Sequence, residues 1–146
     1  MLSMKQAIIF IVLMASIIAG GLYITRDAGM PITNTTMQEN KLQIIDEREG
    51  SGEAVKAGDT VSVQYRGMLE DGTVFDESYK RGQAFSFTVG AGDVIKGWDE
   101  GLVGMKIGGK RKLVIPSDMA YGSSGAGEII PPNATLIFEI ELETIE

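Results

Sequence analysis

Apolar and polar residues alternate along several short stretches of this chain. Val61, Val63 and Tyr65 alternate with Ser62, Gln64 and Arg66, a period of two that gives a strand one buried and one wet face. Phe85, Phe87 and Val89 alternate with Ser86 and Thr88. Leu136, Phe138, Ile140 and Leu142 alternate with Ile137, Glu139, Glu141 and Glu143. Leu113 and Ile115 flank the opposite-facing Val114 and follow polar Lys112, and residues 42–46 form a shorter candidate strand. Between two β segments lies Glu70-Asp71-Gly72-Thr73, whose Asp-Gly pair favours a tight turn.

One segment changes period. Val94, Ile95, Trp98, Leu102 and Met105 recur every three to four residues, as on one helix face. Asp93 is placed to cap its start and Gly104 to end it. One short helix among antiparallel strands predicts an α+β domain in which the helix covers the apolar face of a twisted sheet. After it comes a loop of small residues, 122–127, and then Ile129-Ile130-Pro131-Pro132. Proline removes ladder donors, so that stretch reads as a connection.

The amino-terminal part has a different character. Residues 7–24 are apolar or small, broken only by Ser16 and Tyr23, with Lys5 before them and Arg26-Asp27 after them. As a helix they span roughly 27 Å, enough for a hydrocarbon core. The first reading is an uncleaved membrane anchor over residues 1–26. A cleaved signal peptide is the alternative, with Ala19-Gly20-Gly21 as the cut region. A buried soluble helix fits poorly, because the segment has no polar face. Lys5 and the free amino terminus place the start in the cytoplasm and the domain on the extracytoplasmic side, or secreted, periplasmic or lumenal after cleavage. Residues 27–41 are polar, contain Pro31 and read as a flexible linker; residues 42–146 form the domain. Asn34-Thr35-Thr36 and Asn133-Ala134-Thr135 are glycosylation sequons wherever the host glycosylates secreted proteins.

Charge and composition narrow the chemistry. After Lys41 the chain carries 10 Lys and Arg against 18 Asp and Glu, so a phosphate backbone should repel it, and nucleic acid is not an expected partner. With no cysteine, disulfides and thiolate metal sites are excluded; with no histidine, so are Ser-His-Asp triads. Gly90-Ala91-Gly92 lacks the third glycine of a dinucleotide loop, and no Gly-Lys-Ser/Thr follows Gly122-Ser123-Ser124-Gly125. Lys110-Arg111-Lys112 reads as a solvated strand, and Glu70-Asp71 as turn residues rather than a metal site. Neither a metal nor a cofactor is expected.

What remains is an ordered set of aromatic and aliphatic residues around one aspartate: Tyr65, Phe75-Asp76, Val94-Ile95, Trp98, Tyr121, Ile129-Ile130 and Phe138. Singly, the phenylalanines and Trp98 are ordinary core residues. Their joint order is more specific. An apolar pocket holding one carboxylate, with no nucleophile and base, suits a reaction that needs little proton transfer, and rotation about a prolyl peptide bond is one.

These residues resemble the FKBP-type peptidyl-prolyl cis-trans isomerases over about 42–146. The resemblance rests on Val63-Gln64-Tyr65-Arg66-Gly67-Met68-Leu69-Glu70-Asp71-Gly72, on Val74-Phe75-Asp76-Glu77-Ser78 and on Val94-Ile95-Lys96-Gly97-Trp98-Asp99-Glu100-Gly101. Ala120-Tyr121-Gly122 and the stretch Ile129-Ile130-Pro131-Pro132-Asn133-Ala134-Thr135-Leu136-Ile137-Phe138 complete it. It implies a half-wrapped antiparallel sheet around one short α-helix, with a pocket for a proline ring between them. Trp98 would be the pocket floor, and Tyr65, Phe85, Val94, Ile95 and Phe138 its walls. Phe75 and Asp76 would stand at its side, with Arg81 beside Asp76 and Tyr65. Tyr121, Ile129 and Ile130 would come from the flanking loops. Tyr65, Phe75, Asp76, Tyr121 and Phe138 would be the catalytic set, and Arg81, Phe85, Val94, Ile95, Trp98, Ile129 and Ile130 would bind substrate. The Ile95 N–H and the Tyr121 hydroxyl would donate to substrate carbonyls.

The implied partners are proline-containing polypeptides and macrolides of the tacrolimus and rapamycin kind, with the membrane reached through residues 7–24. In one departure, Ala126 stands where many family members carry a histidine, which bears on substrate preference. Two other functions compete with catalysis: a tethered module that binds proline segments without turnover, and a general chaperone. The seven residues between Tyr121 and Ile129 leave no room for the extra domain of family chaperones.

Overall fold

The computed structural model describes residues 40–146; the apolar segment, most of the linker and the Asn34 sequon lie outside the described residues. Within them the fold is α+β. Strands β1 (Gln43–Arg48), β3 (Thr60–Leu69), β4 (Val74–Glu77), β5 (Phe85–Thr88), β7 (Lys110–Ile115) and β8 (Leu136–Ile145) form one antiparallel sheet. Its order is β1-β7-β8-β3-β4. The long strand β3 gives one edge to β8 and divides the other between β5, paired from Val63 back to Thr60, and β4, paired from Arg66 to Met68. Helix α1 (Lys96–Gly101) packs against the sheet.

The alternating stretches form these strands for the expected reason. Val61, Val63 and Tyr65 of β3, and Leu136, Phe138, Ile140 and Leu142 of β8, are all buried in one core, while Ser62, Gln64 and Arg66 are not. Asp71-Gly72 makes the β3–β4 turn: Gly72 has φ +88°, and the Thr73 N–H donates to Asp71 Oδ1 at 2.8 Å.

Several details depart from the sequence pattern. The apolar spacing predicts a helix face running to Met105, but α1 ends at Gly101. Leu102 and Met105 are nevertheless buried, because the chain keeps turning: the Leu102 N–H donates to Trp98 O and the Met105 N–H to Leu102 O. Asp93 does not cap α1; the residue before the helix is Ile95, and it makes no side-chain cap. Gly104 lies beyond the helix, at φ +86°, and its N–H donates to Val55 O. A small second sheet, β2 (Ser51–Ala54) with β6 (Lys106–Ile107), has no alternating signature because its residues are mostly exposed. Strand β1 runs to Arg48 rather than Asp46.

The largest correction concerns Lys110-Arg111-Lys112. Arg111 is only 7% exposed. It shares the inner face of β7 with Leu113 and Ile115, a consequence of the two-residue period. Its guanidinium donates to Asp46 Oδ1 at 2.6 Å, to Gly101 O at 2.8 Å and to Val103 O at 3.1 Å. A buried charge needs such pairing, and here it ties edge strand β1 to the carboxyl end of α1.

The helix lies unusually close to β7. A Cβ added at Gly97 would come within 2.6 Å of Ile115 Cδ1, and one at Gly101 within 2.7 Å of Leu113 Cδ1. Both residues sit on the same helix face, four apart. Gly97→Ala should therefore force α1 off the sheet and destabilise the domain by about 1–3 kcal/mol. Urea unfolding monitored by circular dichroism measures this. A variant as stable as the wild type would mean that the helix is not held by this contact.

Candidate active site

Helix α1 sets Trp98 against the sheet as the base of a cavity of about 490 Å³. The indole meets the Tyr65 ring edge-on at 5.0 Å and the Phe138 ring at 5.2 Å, with interplanar angles of 82° and 85°. Phe85 and Phe87 lie 6.1 and 5.5 Å from it. Edge-to-face packing of this kind adds to simple burial and fixes ring orientation. The floor is so apolar that the Trp98 Nε1–H, though buried, has no hydrogen-bond partner among the described residues.

Side walls come from three elements. Tyr65 rises from β3 and Phe138 from β8. Phe75, from β4, meets the Phe138 ring edge-on at 5.5 Å. Gly67 makes room for that meeting, since a Cβ there would stand 2.7 Å from atoms of both rings. Val94 and Ile95 enter from the loop before α1. That loop is held from below, where the Gly90 and Gly92 N–H groups donate to Asp99 Oδ1 and Oδ2 at 2.9 and 3.0 Å. Asp99 thus anchors the glycine loop to the helix.

One polar corner interrupts the apolar lining. The Tyr65 hydroxyl donates to Asp76 Oδ2, and Arg81 donates to Asp76 Oδ1 at 2.6 Å and to the Tyr65 hydroxyl at 2.5 Å. The three groups close a ring of charge-assisted bonds. Burial opposes ionisation of Asp76, but the bonds from Tyr65 and Arg81 outweigh it and hold its pKa below the usual carboxylate range. Burial and the adjacent carboxylate push the Tyr65 pKa up. Near neutrality the corner is therefore a fixed carboxylate, a neutral phenol and a guanidinium.

The cavity gathers ten of the residues singled out from sequence: Tyr65, Phe75, Asp76, Arg81, Phe85, Val94, Ile95, Trp98, Tyr121 and Phe138. Ile129 and Ile130 lie outside its lining. The Ala126 and Ile130 N–H groups donate to each other's carbonyls at 2.9 and 3.0 Å, which seats Ile130 in the core and leaves Ile129 at an exposed loop position. Ala126, the position of the departure, is occupied with that bridge. Asp93, read from sequence as a helix cap, lines the cavity instead.

Sequence reasoning also passed over Ser78, which is fully buried. It stands where β3 leaves β5 and has not yet met β4. There the Tyr65 N–H donates to Ser78 Oγ at 2.8 Å, the Ser78 N–H donates to Tyr65 O at 2.9 Å, and Ser78 Oγ donates to Gln64 Oε1 at 2.5 Å. Ser78 thus satisfies the backbone of Tyr65 in a gap in the ladder. Its place in the Val74–Ser78 motif was the available signal. Among the described residues no group of three or more His, Cys, Asp or Glu could hold a metal ion.

The comparisons with known proteins agree with this geometry. The family model of the FKBP-type peptidyl-prolyl cis-trans isomerases matches residues 51–143. An FK506-binding protein of Neisseria meningitidis serogroup B is 58% identical over 101 residues, 69% of this chain and 93% of its own. FK506-binding protein 2 of Yarrowia lipolytica is 48% identical over 143 residues, 98% of this chain and 94% of its own. Among solved structures, AtFKBP13 matches with a TM-score of 0.68 and 40% identity, covering 72% of this chain and 93% of its own. FkpA from Escherichia coli matches with a TM-score of 0.67 and 50% identity, over 72% of this chain and 48% of its own. By its matched span, its relatives and its aromatic cavity, the chain belongs to the FKBP-type peptidyl-prolyl cis-trans isomerases.

Proposed function

We propose that the cavity above Trp98 is where this isomerase rotates X-Pro bonds, and that it does so by environment rather than by proton transfer. Amide resonance sets a barrier of about 18–20 kcal/mol, so an unassisted X-Pro bond turns over in roughly 10–100 s. Twisting the bond breaks the resonance and makes the carbonyl less polar. A dry apolar site therefore favours the twisted form over the planar one, which water solvates better. The observation that carries this reading is the floor itself: four aromatic rings around an indole whose buried N–H has no hydrogen-bond partner among the described residues.

In this reading Trp98, Phe138 and Tyr65 grip the proline ring while the carbonyl side turns. Phe85, Val94 and Ile95 complete the walls. Asp76 presents a fixed carboxylate beside the rotating amide, and Arg81 keeps it ionised. The Ile95 N–H and the Tyr121 hydroxyl hold substrate carbonyls, and Phe75 supports Phe138. The same cavity would take macrolides of the tacrolimus and rapamycin kind, which agrees with the relatives' names as FK506-binding proteins. Ile129 and Ile130 would act only by shaping the flanking loop.

For the amino-terminal part, an anchor over residues 7–24 with the domain on the extracytoplasmic side fits best, with release after signal cleavage as the alternative. Its support is the apolar run and the placement of Lys5. The client polypeptides would then be ones that fold outside the cytoplasm.

Two measurements test these readings. The purified protein should accelerate isomerisation of a proline tetrapeptide, and a macrolide should inhibit it. Trp98→Ala should lower both kcat/KM and macrolide affinity at least about tenfold by removing a large buried contact. A folded Trp98→Ala protein with unchanged turnover and affinity would contradict the assigned floor. For topology, protease added to intact vesicles with access only to the extracytoplasmic side should remove the domain; protection until the membrane is breached would reverse the orientation.

A further inference from the structure

A second cleft, of about 200 Å³, adjoins the cavity and is lined by Val74, Phe75, Asp76, Glu77, Lys80 and Arg81. Phe75, Asp76 and Arg81 line both spaces, so one wall divides them. The Asp76–Arg81 ion pair belongs to that wall, and its side chains are 42% and 45% exposed. The divider is thus open to solvent, and a chain can cross over it. On this side β4 is the last strand of the sheet, with its outer edge unpaired among the described strands.

We propose that this cleft is a subsite for the segment flanking the proline of a polypeptide substrate, and that Lys80 there selects an acidic side chain. The proposal rests on the isomerase reading of the neighbouring cavity, because the occupant is the same chain whose proline lies there. Continuity across the shared wall is what identifies it.

Charge in the cleft points to the side chain. Glu77 is nearly buried and holds two cations, Lys80 Nζ at 3.0 Å and Arg66 Nε at 3.1 Å. When Lys80 swings to a substrate, Glu77 keeps Arg66. The Lys80 side chain is 77% exposed, and reaching a substrate requires only that it exchange its ion pair with Glu77. Among the lining residues Lys80 and Arg81 balance Asp76 and Glu77, so the cleft is neutral overall, with Lys80 as its most exposed charge. Asp93 lines the main cavity and not the cleft; it is exposed and has no ion-pair partner among the described residues, so the balance there is negative. The field over the mouth is therefore directional. An acidic side chain is favoured on one side of the proline only.

The full-length protein tests this with a proline tetrapeptide as reference and longer peptides carrying Glu, Gln or Lys at each flanking position in turn. On one side of the proline, Glu should raise kcat/KM over Lys about two- to five-fold at low salt, the scale of an exposed ion pair, and added salt should shrink the difference. Lys80→Gln should remove the preference and Lys80→Glu should invert it, with tetrapeptide turnover as the control for folding. An active protein that discriminates charge at no position, or a Lys80→Glu variant that keeps the wild-type order, overturns this proposal alone. A wild-type protein inactive on the tetrapeptide overturns the isomerase reading and this one with it.

Discussion

The close contact between α1 and β7 is the constraint on which the rest depends. Gly97 and Gly101 present no side chain to the sheet, and Ile115 and Leu113 fill the space their side chains would need. Lowering a helix onto a sheet at its glycine face turns the neighbouring position, Trp98, toward the aromatic walls. Arg111 secures the arrangement from the other end by binding the Gly101 carbonyl and Asp46 together. The cavity is deep and apolar because the helix sits low; a helix one methyl group farther out would shift its floor.

Polar groups at the site are arranged to be constant rather than reactive. Asp76, Tyr65 and Arg81 satisfy one another, so none has a proton poised to move near neutrality. Because the pKa of Asp76 is depressed, its pairing stabilises the fold above the ordinary carboxylate pKa, and that contribution is lost as pH falls through the folded value. Ser78 serves the same end one step removed. It replaces a missing strand partner at Tyr65 and so fixes the backbone that carries the phenol. Such a corner suits a reaction driven by solvation and shape.

Much of this was legible in the sequence, for identifiable reasons. Two-residue alternation located β3, β7 and β8 because each buries one face, and β5 because Phe87 enters the core while Phe85 faces the cavity. The Asp71-Gly72 turn announced itself through its chemistry. The motifs around Tyr65, Asp76 and Trp98 hold six of the ten cavity residues; Tyr121 and Phe138 belong to the two later motifs, and Arg81 and Phe85 follow from the family resemblance. What stayed hidden lacks a local signature. Strands β2 and β6 bury little, so no hydrophobic pattern marks them. Arg111 lies on the inner face by parity, but its residue type argues for solvent, and only the distant Asp46 and the end of α1 explain its burial. Ile130 belongs to the core because of its bridge to Ala126, a pairing that motif position does not encode. Asp93 sits before an apolar helical pattern as a cap would, yet the glycine loop turns it to the cavity mouth.

If rotation is driven by an apolar environment and a permanently ionised Asp76, the pH dependence of kcat/KM reports it most directly. The profile should be flat between about pH 6 and 8, falling only on the acid side, below the ordinary carboxylate pKa of about 4, because Asp76 titrates lower still. Tyr65, with its pKa raised, adds no change in that window. A tenfold change between about pH 6 and 8 with the fold intact, abolished by Asp76→Asn, would show a titrating catalytic proton and contradict the account.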